Sequence, residues 1–244
     1  MTTVLRATGL QVVHRTRSGP LHAVSGVSLE LSDRRCLALV GESGSGKSSI
    51  AKALLRLPAP TAGTVELDGV DLAALSPRRL RELRPRLQMV FQDPLSSLNP
   101  RRRVRDIVAE PLDAHHSQNH DRDARVASHL TAVGLPPALF ADRKPSQLSG
   151  GQAQRVAIAR VLAARPRVLI ADEAVSALDV SAQAVILNLL RDLTEREGLA
   201  TLFISHDLGA VRSVSDDIAV LYLGRLCETG PTEEVLAAPA HPYT

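Results

Sequence analysis

Residues 41–48 read Gly41-Glu42-Ser43-Gly44-Ser45-Gly46-Lys47-Ser48. They follow an unbroken apolar run, Leu37-Ala38-Leu39-Val40, typical of a strand buried on both faces, and precede a run of good helix formers, residues 49–55. The glycines allow backbone N–H groups to turn toward an anion, and the start of a helix adds partial positive charge. Strand, glycine-rich turn and helix together predict a phosphate-binding loop in a parallel α/β sheet, with a nucleoside triphosphate as ligand.

Lys47 stands out because the chain has only three lysines, the others being Lys52 and Lys144, and uses arginine elsewhere. A compact ammonium fits between the β- and γ-phosphates better than a planar guanidinium does. The hydroxyl of Ser48 is predicted to bind Mg²⁺, and that of Ser49 to reach the α-phosphate. The alternative, a Gly/Ser turn that happens to precede a lysine, is disfavoured by the strand and the helix on either side.

Two carboxylates follow a second buried-strand pattern. The run Val168-Leu169-Ile170-Ala171 ends in Asp172 and Glu173. Ligands of open parallel sheets bind beyond the carboxyl ends of the strands, so both side chains are expected near the phosphate loop. There Asp172 is predicted to hold Mg²⁺, and Glu173 to orient and polarise the water that attacks the γ-phosphate. A solvated acidic turn is the alternative, and the nearby phosphate loop favours the functional interpretation.

A third apolar run, Thr201-Leu202-Phe203-Ile204, ends in Ser205-His206-Asp207. A lone histidine is usually a surface residue. At the same edge of the sheet, however, His206 is predicted to contact the γ-phosphate.

Another motif, Leu148-Ser149-Gly150-Gly151-Gln152, comes about a hundred residues after the first. Together with Gln92, the stretch Ser176-Ala177-Leu178-Asp179 and His206, it resembles the nucleotide-binding subunit of ABC transporters. In that family the four features are the signature, the Q-loop glutamine, the D-loop and the switch histidine. The resemblance runs from about residue 5 to the end of the chain and implies ATP and Mg²⁺ as cofactors.

The resemblance also implies which residues form the site. Catalysis is assigned to Glu173, His206, Lys47 and Gln92. Mg²⁺ is assigned to Ser48, Gln92 and Asp172. Contacts with ATP are assigned to His14, Gly41, Glu42, Ser43, Gly44, Ser45, Gly46, Lys47, Ser48, Ser49, Ser149, Gly150, Gly151, Gln152 and Asp179.

Further motifs resemble one branch of the family, the ATPase subunits of oligopeptide, dipeptide and nickel importers. They are residues 91–100 (FQDPLSSLNP), residues 175–181 (VSALDVS) and the terminal His241-Pro242-Tyr243-Thr244. The resemblance implies an importer for peptides or a nickel-type cargo, without naming the cargo.

Family members work as head-to-tail pairs with two ATP molecules between two subunits, and the sequence fits such a pair. Ser149-Gly150-Gly151 precedes a helical segment predicted from Gln152 to Ala164, and a helix N-terminus with small residues is an anion site. In one chain that site duplicates the phosphate loop. This helix N-terminus would be functional if it binds the γ-phosphate of ATP held by the partner subunit. The Ser149 side chain can cap the helix at the same time.

The resemblance implies several partners. They are a second ATPase subunit (a copy or a sister subunit), two integral-membrane permease subunits and, indirectly, an extracytoplasmic substrate-binding protein. The expected location is peripheral, on the cytoplasmic face of the cell membrane.

Some positions depart from the family pattern. His14 stands where an aromatic residue usually stacks on adenine, so that adenine contact and an exposed histidine both remain open. Asp33-Arg34-Arg35 stands where Gly-Glu often occurs, and Ala174 where proline often follows the carboxylates. The chain stops at Thr244, whereas relatives usually continue, so it is either cut short or lacks that extension.

The composition of the chain disfavours membrane-spanning, secreted, metal-binding and nucleic-acid-binding proteins. No stretch approaches the roughly 18 apolar residues of a membrane helix, and the chain does not start like a signal peptide. Cys36 and Cys227 are isolated, which fits a reducing compartment and disfavours a zinc or iron–sulfur site. Arginines cluster in residues 78–86 and 101–105, but with a net charge of +3 and only five aromatic residues we expect no nucleic-acid partner. We expect the arginine clusters to lie on solvated helix faces or to contact a membrane-embedded partner.

The expected fold class is α/β: a P-loop NTPase core with a parallel sheet, an N-terminal antiparallel β subdomain and an inserted α-helical subdomain. The chain is expected to form one domain over residues 1–244, with its core in residues 1–92 and 155–244 and the helical signature subdomain in residues 93–154. Turns are predicted at Ser18-Gly19-Pro20 and Ser25-Gly26, and a hairpin at Gly224-Arg225.

A polar stretch holds three histidines that favour a hydrophilic loop over a metal site: His115, His116 and His120.

The sequence disfavours two rival functions. A soluble ABC-type ATPase of DNA maintenance or translation would need coiled-coil arms, Cys-rich inserts or a second cassette, and the sequence has none of these. A regulatory ATP-binding module without turnover is disfavoured by Glu173.

Overall fold

The computed structural model describes residues 2–17, 19–115 and 121–244, with the backbone alone at His115. Its strands are β1 (Thr3–Thr16), β2 (Gly19–Ser32), β3 (Arg35–Val40), β4 (Ala62–Leu67), β5 (Val70–Asp71), β6 (Leu87–Val90), β7 (Val168–Asp172), β8 (Ala200–Ser205), β9 (Asp217–Tyr222) and β10 (Arg225–Pro231). Its helices are α1 (Lys47–Leu54), α2 (Pro77–Leu83), α3 (Pro94–Ser97), α4 (Val104–His115), α5 (Arg122–Ala132), α6 (Pro137–Phe140), α7 (Gly150–Ala163), α8 (Val180–Arg196), α9 (Leu208–Val214) and α10 (Thr232–Ala237).

The central sheet has the strand order β10-β9-β3-β8-β7-β6, with β9, β3, β8, β7 and β6 parallel to one another. Alternate side chains of β7 enter two different apolar cores: Leu169 and Ala171 join the α-helical side, and Val168 and Ile170 join the side that holds α1 and the N-terminal strands. The expected strands buried on both faces are therefore confirmed. All five parallel strands present their carboxyl ends at one edge of the sheet.

The second sheet is antiparallel, in the order β2-β1-β4-β5, and packs against the α1 side of the central sheet. The turn predicted at Ser25-Gly26 is wrong. Gln11 pairs with Ser25 and Leu10 with Val27, so Gly26 is the extra residue of a β-bulge inside β2, at φ 78°. A glycine that accepts positive φ satisfies a bulge as well as a turn, and sequence alone did not separate them.

The other N-terminal turn was predicted at Ser18-Gly19-Pro20. Ser18 lies outside the described residues, and Gly19 and Pro20 begin β2.

The helices α3 to α7 follow one another between residues 94 and 163, where residues 116–120 are not described; the helical subdomain was predicted over residues 93–154. Helix α7 begins at Gly150, two residues before the predicted start, and nine of its residues are buried. It packs against α4 and α5, and its apolar side chains belong to the same core as the helical face of the sheet. The proposed domain boundary between residues 154 and 155 falls inside this continuous helix, and the division of the chain stays a proposal. Of the three histidines named above, His116 and His120 lie outside the described residues.

The C-terminal hairpin joins β9 to β10 as predicted, but its turn is Leu223-Gly224, one residue earlier than expected, and Arg225 begins β10. Among the described residues, no helix combines the length and hydrophobicity needed to cross a membrane.

Candidate nucleotide-binding site

The phosphate loop connects β3 to α1 and is wedged between neighbouring backbone segments. A Cβ on Gly46, the residue that precedes α1 at φ 111°, would lie 2.3 Å from the carbonyl oxygen of Ala23. A Cβ on Gly41 would lie 2.2 Å from the carbonyl oxygen of Leu221. Only glycine fits at either position, because no side chain tolerates backbone atoms so close.

Lys47 lies inside this loop and is 5% exposed. Its Nζ donates to the carbonyl oxygens of Gly41 at 2.7 Å and Glu42 at 2.8 Å. Burial lowers the pKa of the Lys47 ammonium, against the opposing effect of the Glu173 and Asp172 carboxylates. The hydroxyl of Ser45 is buried nearby and has no hydrogen-bond partner among the described residues. A buried cation and an unsatisfied hydroxyl in a glycine-rich loop fit a phosphate group.

Ser48 and Asp172 meet beside the loop. The Ser48 hydroxyl donates to Oδ1 of Asp172 at 3.2 Å, joining the start of α1 to the end of β7. Asp172 is 8% exposed, and burial raises the pKa of its carboxyl, opposed by the Ser48 hydrogen bond and reinforced by Glu173. Hydroxyl and carboxylate oxygens are the protein ligands that Mg²⁺ prefers, so the two residues fit the ion.

Glu173 connects three strand ends. Its backbone has φ 47°, and its N–H donates to the carbonyl oxygen of Ile204 at 3.0 Å. One carboxylate oxygen accepts from Nε2 of Gln92 at 2.9 Å. The other lies 3.6 Å from Nδ1 of His206. The structure therefore brings the residues after β6, β7 and β8 into one cluster beside Lys47 and Asp172.

The side-chain amide of Gln92, predicted to be a ligand of Mg²⁺, is hydrogen-bonded to the Glu173 carboxylate in this structure. Its Nε2 also lies 3.4 Å from the hydroxyl of Ser176, which donates to the backbone oxygen of Glu173 at 3.0 Å. The part of Gln92 in holding Mg²⁺ stays a prediction. Sequence reasoning named Ser176 only as part of the D-loop, and its contact with Gln92 depends on the fold.

His14, at the end of β1, approaches the first turn of α1. Its Nε2 lies 3.1 Å from the hydroxyl of Ser49, within hydrogen-bond distance. The imidazole therefore lies beside the phosphate loop, and its contact with adenine stays a prediction. The Ser49 hydroxyl is already engaged with His14, so its predicted reach to the α-phosphate requires that this bond be exchanged or shared.

Ser149 caps α7, as expected. Its hydroxyl accepts from the N–H of Gln152 at 3.3 Å, and the Gln152 side chain accepts from the N–H of Ser149 at 3.0 Å. A Cβ on Gly150 would lie 3.2 Å from the Leu178 side chain, and one on Gly151 would lie 3.1 Å from that of Ala182. The two glycines therefore also let α7 approach the start of α8 closely.

The signature segment 149–152 is exposed or half-buried. In the described part of the chain, no hydrogen bond or ion pair joins it to the phosphate loop. Asp179 caps α8 by accepting from the N–H of Ala182 at 2.9 Å and the hydroxyl of Ser181 at 2.6 Å. The bond from Ser181 is the main cause that lowers the pKa of Asp179.

One contact with the loop was not predicted. The hydroxyl of Tyr243 accepts from the N–H of Glu42 at 2.9 Å. The stretch that contains Tyr243 was recognised only as a subfamily motif, and nothing local connects it to a loop 201 positions away.

Comparison with known proteins identifies the family. The sequence profile described as "ABC transporter" matches residues 24–176, more than half of the 244 residues. The chain belongs to the ABC transporter family.

Its curated relatives include the oligopeptide transport ATP-binding protein OppD of Mycobacterium tuberculosis, 49% identical over 233 residues, which are 96% of this chain and 38% of OppD. A protein of Brucella ovis, provisionally named a peptide import ATP-binding protein, is 46% identical over 244 residues, or 100% of this chain and 77% of that protein. The chain thus spans well under half the length of OppD.

The cassette MJ0796 has a similar solved structure, described as dimeric and as a bacterial ABC transporter cassette. Its TM-score is 0.84 at 29% identity, covering 93% of this chain and 98% of that one. A second structure of MJ0796, equally similar, is described as a dimeric post-hydrolysis state bound to ADP and Pi. The predicted α/β fold class is thus confirmed.

Proposed function

We propose that the chain is the ATP-hydrolysing subunit of an ABC importer for oligopeptides, dipeptides or a nickel-type cargo. One observation carries the hydrolysis part of the proposal: the Glu173 carboxylate is held by Gln92 at 2.9 Å and faces His206 at 3.6 Å, at the sheet edge where Lys47 and Asp172 lie. Carboxylate, amide and imidazole from three strand ends are the groups needed to hold a water beside a γ-phosphate.

Each residue then has a defined role in hydrolysis. Glu173 orients the water and takes its proton as the water oxygen bonds to the γ-phosphorus and ADP leaves. Lys47 compensates charge on the β- and γ-phosphates, and His206 contacts the γ-phosphate. Ser48 and Asp172 would hold Mg²⁺, which neutralises phosphate charge when bound.

The signature segment acts on the ATP of a second cassette. It is accessible, it opens a helix of 14 residues, and within the described residues it makes no hydrogen bond to its own phosphate loop. Backbone N–H groups at that helix start favour a phosphate, so the partner's γ-phosphate completes it. The described dimers of MJ0796 support a paired arrangement.

The transport role rests on the relatives. OppD and the Brucella ovis protein are named for peptide transport and import. By analogy, the chain couples ATP binding and hydrolysis to two permease subunits through its helical part, on the cytoplasmic face of the membrane, with a substrate-binding protein outside. The partner cassette is a second copy or a sister subunit.

The test of hydrolysis compares wild type, Glu173→Gln and the control Glu197→Gln, whose side chain is exposed at the end of α8. A general base contributes about 10²- to 10⁴-fold, so Glu173→Gln should lose at least about 100-fold in phosphate release while still binding ATP, and Glu197→Gln should match wild type. Equal turnover in wild type and Glu173→Gln would refute the assignment of the base. A wild type without turnover would refute hydrolysis itself.

The cargo is tested in the native host. Deletion of the gene should abolish uptake of labelled dipeptides, oligopeptides or Ni²⁺, and wild type but not Glu173→Gln should restore it. Normal uptake of all three cargos in the deletion strain would contradict the import role.

A soluble ATPase of DNA maintenance or translation is not favoured. The curated relatives named above carry transport or import names.

A further inference from the structure

One peptide group of the phosphate loop is held from both sides. The carbonyl oxygen of Gly41 accepts from Nζ of Lys47 at 2.7 Å. The N–H of Glu42, in the same peptide group, donates to the hydroxyl of Tyr243 at 2.9 Å. A peptide group is planar and rotates as one unit, so the orientation that Tyr243 imposes on the N–H also sets the carbonyl that Lys47 contacts.

Tyr243 is itself fixed by its surroundings. Its ring packs on that of Tyr222 at the end of β9, with the centroids 4.4 Å apart and the planes at 43°. Its N–H donates to Nδ1 of His241 at 3.1 Å. Ring and backbone are therefore held by separate contacts, and the hydroxyl is aimed at the loop.

The segment that carries Tyr243 is tied to β10. The carboxylate of Glu228 accepts from the N–H of Ala240 at 2.7 Å and that of His241 at 3.1 Å. Strand β10 pairs with β9, whose Leu221 carbonyl blocks any side chain at Gly41. The loop thus rests on the hairpin directly at Gly41 and indirectly through Tyr243.

Tyr243 reaches the start of the loop beside the proposed reaction site. It lines, with Glu42, Val40 and His206, a cavity of about 250 Å³. The hydroxyl of Tyr243 contacts a backbone N–H of the loop, so its effect is expected on the conformation of the loop.

We propose that Tyr243 is a positioning residue for Lys47, acting through the Gly41–Glu42 peptide group. With the hydroxyl present, the peptide group is held in the orientation that keeps Lys47 inside the loop before nucleotide arrives. Without it, the peptide group and the ammonium have to be ordered during binding, and the cost appears as weaker nucleotide affinity. The inference rests on the proposed function only in taking ATP as the ligand of the loop.

The test is Tyr243→Phe in the full chain, which removes the hydroxyl and keeps the ring. The matched control is Tyr222→Phe, because the described residues show no hydrogen bond from the Tyr222 hydroxyl to the loop. A neutral hydrogen bond corresponds to about a two- to tenfold change in equilibrium. The dissociation constants of MgATP and ADP and the KM for ATP should rise by that factor in Tyr243→Phe. Its kcat should match wild type, and the melting temperature of the nucleotide-free chain should fall by no more than about 2–4 °C, the effect of one hydrogen bond in a chain of this size.

Glu228→Ala tests the same idea without touching the ring or the loop. It frees the segment that carries Tyr243, so KM should rise in the same direction.

The possible outcomes separate the two proposals. Unchanged affinity in Tyr243→Phe would overturn the inference, as would an equal loss in Tyr222→Phe, since packing of the rings would then be the cause. A fall in kcat and melting temperature at constant KM would indicate a purely structural role and would also overturn it. If wild type binds ATP without hydrolysing it, the proposed function fails, while the binding measurements still decide the role of Tyr243.

Discussion

Lys47 and Asp172 show how burial acts on opposite charges at one site. Burial lowers the pKa of the ammonium and raises the pKa of the carboxyl, so the ionised form of each is disfavoured by the same cause. Their neighbours offset part of that effect: carbonyl oxygens hold Lys47, and the Ser48 hydroxyl donates to Asp172. Charges that a nucleotide and its metal ion would satisfy are thus kept in place at some expense of stability.

Asp172→Asn should therefore separate stability from activity. The substitution keeps the shape and removes a buried charge, so the melting temperature should be equal to wild type or higher. ATP turnover should fall by at least about 100-fold, as for the loss of other groups that stabilise charge in the transition state, and more Mg²⁺ should be needed for the remainder. Thermal melting and phosphate release over a Mg²⁺ series measure both.

The control for this pair of measurements is Asp192→Asn on the exposed side of α8, which should leave both unchanged. A large loss of melting temperature in Asp172→Asn would contradict the view that its charge is held against burial.

Two helices begin with the same kind of serine cap, and their variants can be compared directly. Ser149 caps α7 and Ser76 caps α2, each by accepting the N–H three residues on, at 3.3 Å in both cases. One helix carries the signature segment and the other belongs to the arginine-rich region. A difference between their alanine variants therefore isolates what the signature serine does beyond capping.

Ser149→Ala and Ser76→Ala should each lower the free energy of unfolding by about 1 kcal/mol, the ordinary effect of losing a cap. Only Ser149→Ala should also reduce ATP turnover, because its hydroxyl lies where the partner's γ-phosphate is proposed to bind. Denaturant unfolding and ATPase assays on both variants check this. Parallel losses of activity in the two would reduce Ser149 to a structural cap.

Elements whose pattern is local were predictable from the sequence, and contacts made by the fold were not. The apolar runs before Gly41 and Asp172 form β3 and β7. Both were predictable because a strand buried on both faces is a short continuous run of apolar residues in the sequence. Gly26 misled because positive φ serves bulges and turns alike. The contacts of His14 with Ser49 and of Tyr243 with Glu42 join residues 35 and 201 positions apart, and no sequence pattern marks them.

The whole molecule carries two surfaces proposed for one nucleotide. The phosphate loop lies at the edge of the sheet, and the signature segment opens a helix in the inserted part. Because described residues of the two make no hydrogen bond to each other, the arrangement predicts that a second cassette supplies the missing half.

A hydrolysis-deficient chain should therefore pair in the presence of ATP. Glu173→Gln with MgATP should elute at twice the monomer mass of 26.1 kDa if it pairs with a copy, or at the summed mass of the two chains if a sister cassette is required. With ADP it should elute at the monomer mass. Adding Ser149→Ala should weaken the pairing. Light scattering after size-exclusion chromatography measures it. An ATP-loaded pair whose structure placed Lys47 and Ser149 in separate, unshared pockets would defeat the head-to-tail arrangement.

Helix α7 runs without a break from the exposed signature segment into the apolar core of the sheet, and nine of its residues are buried. The inserted helices thus have no flexible joint on this side about which to turn. Any change in their angle has to proceed by shear, with closely packed side chains sliding past one another by small steps. Tightly interlocked surfaces favour a few seated positions over a continuum. The inserted helices should accordingly move between a small number of discrete conformations. The side chains at the contact between α4 and α7 would determine the number of these conformations.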